Sequence, residues 1–172
     1  VQLAGARLSL QIDVGFGDAI TPEAVEGEWQ ELLDFPAARL LIYPSETVIA
    51  EKFEAAVTLG LENSRMKDFF DLYWLGLHQS FSGDLLIASV AATFERRETP
   101  LPAEPPLALT KTFSGDSGKQ LQWNAFRRKG MLSAPDLSEV IESLSTFLAP
   151  LLTGEARGQH WHPESGWTPI ES

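Results

Sequence analysis

Lys52, Arg65, Asp68 and Asp71 are the residues of this chain best placed by type and spacing to do chemistry. Asp68 is three residues from Arg65 and three from Asp71, so on a helix the three side chains lie near one line. Lys52 falls in a separate run, with Val48, Ala55, Ala56 and Leu59 one turn away. Its stem therefore runs along apolar surface and only its ammonium can reach something polar. A cation laid along apolar surface and a line of one arginine and two aspartates on a largely apolar helix are charges set where ordinary surface charges are not expected. The same residues also fit a plainer reading: acids favour a helix N-terminus, and Arg65 with Asp68 makes an ordinary ion pair.

A fifth residue comes from a different pattern. Residues 6–16, ARLSLQIDVGF, alternate strictly, with Leu8, Leu10, Ile12, Val14 and Phe16 on one face. This spells a half-buried strand with Asp13 near the end of its polar face. Gly15 and Gly17 leave room for a ligand or another backbone. A strand carboxylate beside open backbone is a common way to hold a metal ion that itself holds phosphate oxygens.

The elements that must position these residues read as follows. Residues 46–59 form an amphipathic helix with Ile49, Phe53, Ala56 and Val57 inward and Glu51, Glu54 and Thr58 on the wet face. A second helix, capped by Asn63 and Ser64, runs to about Leu77 and from Phe69 is apolar nearly all round, as expected of a helix buried in the middle of a domain. Residues 39–43, RLLIY, read as a buried strand ended by Pro44, and a stretch at 28–33 has helical character. The order strand, strand, helix, helix brings Asp13 and Asp68 into one compact unit.

The combination resembles the nucleotidyltransferase toxins of the AbiEii/AbiGii abortive-infection type, which belong to type IV toxin–antitoxin systems. The resemblance lies in Asp13-Val14-Gly15-Phe16, the AEKFEA run around Lys52, Arg65-Met66-Lys67-Asp68-Phe69-Phe70-Asp71, and Gln122-Trp123-Asn124-Ala125-Phe126. It implies a polymerase-β-type nucleotidyltransferase core, with Mg2+ held by carboxylates around a nucleoside triphosphate. It also implies roles: Asp13 as the third metal-site carboxylate, Lys52 as a triphosphate contact, Asp68 as the catalytic aspartate, Arg65 and Asp71 as nucleotide-binding support. A cognate antitoxin and an RNA acceptor are the implied partners. Two features depart from the pattern. Only Met66 separates Arg65 from Lys67, where the family usually has a longer gap, and no Asp-x-Asp occurs anywhere in the sequence. Because that motif and a Lys…Arg motif precede the matching strand in the family, the chain is expected to be the C-terminal part of such a toxin, whether a shortened expression product, a proteolytic product or a truncated gene. The missing motif also motivates an alternative of another class: a non-catalytic remnant that binds a nucleotide, an RNA or a protein partner.

Bulk properties agree with a globular α+β protein: about two sheet strands packed with a C-terminal helical bundle. The 172 residues carry 44% hydrophobic and 22% charged residues and no cysteine, which fits a reducing cytoplasm and excludes disulfides and thiolate metal sites. No apolar run has the length of a membrane span. A net charge of -11 argues against broad electrostatic binding to nucleic acid, although Lys111, Lys119, Arg127, Arg128 and Lys129 make a local basic stretch with only Asp116 against them.

The second half reads as a helix from Ser82 to Arg97, a proline-rich connector at 98–106, and a helical subdomain and tail at 107–172. Residues 119–129 form a short helix with Leu121, Ala125 and Phe126 inward and the cations outward. Trp123 there suits either the core or, with Arg127, a stacked base. The last helix runs from Pro135 to Leu148 and is stopped by Pro150; Trp161 and Trp167 anchor the tail, where His160 and His162 are a weak metal signal. An exposed edge beside the Asp13 strand is expected to support a homodimer.

Overall fold

The computed structural model describes residues 2–3, 6–7, 17, 19–29 and 36–170, the first two pairs by backbone pairing alone. Asp13 and the strand expected around it lie outside the described residues, and with them the edge proposed for dimerisation.

The fold is α+β. Two short strands, β1 (Gln2–Leu3) and β2 (Ala6–Arg7), pair antiparallel, and β3 (Val25–Trp29) pairs antiparallel with β4 (Ala38–Ile42). The helices follow: α1 (Ser45–Leu59), α2 (Met66–His78), α3 (Gly83–Arg96), α4 (Lys111–Gly115), α5 (Ser117–Gly130) and α6 (Leu137–Thr153). A strand β5 (Phe81–Ser82) precedes α3 and joins β6 (Gln159–His162) and β7 (Gly166–Pro169) in a three-stranded sheet of order β5-β6-β7.

The core lies between the helices. α1 packs along α3, with Phe53 and Phe94 ring centroids 6.0 Å apart, and α6 lays Leu137, Val140, Ile141, Leu144, Phe147, Leu148 and Leu151 beneath α2, α3 and α4. This is the apolar stripe that a 3.6-residue period dictates. Asp136 caps α6 by accepting from Glu139 N at 3.0 Å. Residues beyond the proline-rich connector share the same core, since Phe113 of α4 meets Phe69 of α2 at 5.0 Å. The tail is anchored through its tryptophans: Trp161 Nε1 donates to Gly76 O (2.7 Å) and Trp167 Nε1 to Phe147 O (3.2 Å).

Several expectations are corrected. Of the stretch at 28–33, residues 28 and 29 belong to strand β3, paired with Arg39 and Ala38. β4 is exposed along its whole length rather than buried: among the described residues it pairs with β3 alone, in a two-stranded ribbon. α2 starts at Met66; Asn63 instead accepts from Arg65 N at 2.8 Å in the turn before it. Its far end is not enclosed, for Trp74 is 44% and Leu77 41% exposed. On α5 the inner face is Lys119, Trp123 and part of Phe126, and Leu121 and Ala125 point to solvent. Pro150 lies within α6, which ends at Gly154 in a left-handed conformation (φ 77). One proline removes a single backbone donor, and the turn beyond it is held by packing.

Candidate functional site

α1 and α2 meet so that Lys52 projects between the two aspartates of α2. Lys52 Nζ lies 2.6 Å from Asp68 Oδ1 and 2.9 Å from Asp71 Oδ2. Arg65 Nε is 2.6 Å from Asp68 Oδ2, and Lys67 Nζ is 2.6 Å from Asp71 Oδ2. Two carboxylates thus face three cations, leaving the cluster with one net positive charge.

The members differ in their access to water. Asp68 is buried at 5% exposure; Asp71 and Lys52 are half-buried; Arg65 and Lys67 are exposed. The helix start explains this: Asp68 points back over the first turn into the seam between α1 and α2, while Arg65 and Lys67 flank the seam's mouth. Burial acts to lower the Lys52 pKa, but hydrogen bonds and charge attraction from Asp68 and Asp71 outweigh it, and the pKa stands above its ordinary 10.5. Asp68 Oδ2 is buried and is held in the ion pair with Arg65 Nε at 2.6 Å.

The expected residues Lys52, Arg65, Asp68 and Asp71 therefore come together, and Asp13 lies outside the described residues. Lys67 was not given a role by the sequence; its spacing of four from Asp71 was the available signal. The described residues do not make a set of metal ligands. No group of three or more His, Cys, Asp or Glu comes together among them, and Asp68 and Asp71 are matched with cations.

The nearest continuation of the described chain towards Asp13 is tied to α1 and α3. Arg96 Nε of α3 donates to Gly17 O (2.6 Å), and Thr47 Oγ1 of α1 donates to Thr21 O (2.9 Å), which also accepts from Ser89 Oγ.

Other candidates stay apart from this cluster. Trp123 is 1% exposed and donates to Pro135 O at 3.0 Å, so it packs in the core and is closed to a stacked base. Lys119, expected outward, is buried and donates to Asn63 O (2.9 Å) and Gln122 Oε1 (3.1 Å). His160 and His162 stand on one face of β6 with ring centroids 6.2 Å apart.

Residues 1–150 match the family model described as the nucleotidyl transferase AbiEii toxin of a type IV toxin–antitoxin system. The chain belongs to the AbiEii family. No curated protein and no solved structure matches it. The matched span includes every residue of the cluster and all of α1 to α5. Membership makes this a nucleotidyltransferase-family protein, for which a nucleoside triphosphate, a divalent metal and a cognate antitoxin are the general expectations. Among the described residues no helix is long and apolar enough to cross a membrane.

Proposed function

We propose that the Lys52–Asp68 cluster is the part of an AbiEii active site that handles the acceptor and the triphosphate, and that the acceptor is an RNA hydroxyl. The observation that carries this is the buried Asp68 carboxylate, held by Lys52 on one oxygen and Arg65 on the other at 2.6 Å each. Lys52, Arg65 and Lys67 draw phosphate oxygens to the mouth of the seam, and Asp71 holds Lys52 and Lys67 in place there. The Asp68 carboxylate, released as phosphate oxygens take over its cations, accepts the hydrogen bond of the acceptor O–H and takes its proton as the oxygen bonds to the α-phosphorus. The bond from that phosphorus to the pyrophosphate breaks, and pyrophosphate leaves with the electron pair. The metal role of Asp13 rests on the resemblance of its DVGF motif.

A second reading is favoured by one observation: Lys52 is engaged by both carboxylates at once. The cluster would then be an internal clamp in a non-catalytic protein that binds nucleotide or RNA. Asp68→Asn separates the two. Transfer of labelled nucleotide from a triphosphate to RNA should fall by roughly 10²- to 10⁴-fold in the variant if Asp68 moves the proton. Unchanged transfer by a folded Asp68→Asn protein would assign the cluster to the clamp.

A further inference from the structure

α2 carries a second exposed feature on the same strip as the cluster. Trp74, 44% exposed, stacks on His78 with ring centroids 4.3 Å apart and 14° between the planes. His78 Nδ1 is 2.8 Å from Trp74 O, which fixes the imidazole against the helix. Lys67, Asp71, Trp74 and His78 follow one another at spacings of four, three and four, so they form one ridge along the helix. At about 1.5 Å of rise per residue, Trp74 sits roughly 10 Å beyond Lys67 along the axis, a distance on the scale of one to two nucleotides of extended strand.

A tryptophan more often turns inward, as Trp123 and Trp161 do at 1% and 6% exposure. Trp74 instead faces solvent, and its ring is ordered by a histidine partner rather than by the core. The exposed charge on this ridge is the cation Lys67, paired with the half-buried Asp71, which also engages Lys52; Arg65 lies before the first turn of α2, at the cluster. Flat aromatic surface about 10 Å from a cluster that carries one net positive charge is complementary to a single-stranded nucleic acid, whose bases stack and whose phosphates pair.

The geometry points to the Trp74–His78 pair as a stacking platform for a base of the acceptor strand, next to the cluster that handles its hydroxyl. This rests on the transfer reading above for its setting, but its test does not. The probe is a short fluorescein-labelled oligoadenylate, set against an oligonucleotide of the same length with no bases, both titrated into the 172-residue chain and followed by anisotropy. Base-dependent binding, on the order of ten-fold tighter than the abasic strand, should be kept largely by Trp74→Phe and lost by Trp74→Leu, which preserves apolar bulk without a ring face. Equal binding of the two strands, or base dependence untouched by Trp74→Leu, overturns the platform. Asp68 takes no part in this readout. Discrimination lost in Trp74→Leu supports the platform even where Asp68→Asn leaves transfer unchanged, and equal binding overturns it even where Asp68→Asn abolishes transfer.

Discussion

Lys52 Nζ and Asp68 Oδ1 lie 2.6 Å apart, sixteen residues from each other in sequence, and their contact fastens α1 to α2. Its value is asymmetric. A buried carboxylate that loses its cation is left charged in a poor solvent, which costs more than the pair itself contributes. Lys52→Met should therefore lower stability by about 2–3 kcal/mol, read as a lower urea midpoint with little change in slope. The Lys52 pKa is raised, so this contribution is fully present below pH 10.5 and is lost as pH climbs through the folded value. Lys52→Met should lack that alkaline loss; an unchanged loss would show that another group causes it.

Glu54, expected to face water, is 4% exposed and is surrounded by donors. Thr58 Oγ1 and Thr99 Oγ1 donate to Oε1 at 2.7 and 2.6 Å, and Arg97 Nη1 donates to Oε2 at 2.6 Å. The carboxylate thus joins α1 to the end of α3 and to the proline-rich connector. Burial acts to raise its pKa, yet Thr99, Thr58 and Arg97 together hold it below its ordinary 4.5. A depressed carboxyl stabilises the fold above its unfolded pKa and loses that contribution as pH falls through the folded value. Stability should accordingly drop below pH 4.5, and Glu54→Gln should flatten that drop while costing about 1–3 kcal/mol at neutral pH. Thermal melts across the acid range compare the two slopes directly.

Gly83 begins α3 where the chain leaves β5, and the turn before β6 presses against it. A Cβ at this position would stand 1.9 Å from Ala156 O, a backbone atom with no freedom to swing aside. Gly83→Ala should thus cost about 2–4 kcal/mol through displaced backbone. A melting temperature within a degree or two of the parent would refute the contact.

Periodicity was enough to find α1, α3 and α6, because each has one apolar stripe and one core to bury it in. The type and spacing of Arg65, Asp68 and Asp71 placed them on one line of α2, and the apolar setting of Lys52 implied a polar partner somewhere inside. Which partner it was needed the crossing of α1 and α2, a long-range relationship that no local pattern contains. The same limit explains the misplaced residues. Glu54 and Lys119 are charged, and a local reading sends charge to water; both are buried because backbone and side-chain donors or acceptors from distant segments converge on them. Trp74 and Leu121 are apolar, and a local reading sends them inward; both are exposed, the described elements packing on other sides of their helices. Sequence by itself determined the helical periods, the line of charge on α2 and the family; tertiary packing decided which charges are enclosed and which aromatic ring is left for a ligand, since burial depends on what the rest of the chain brings to each face.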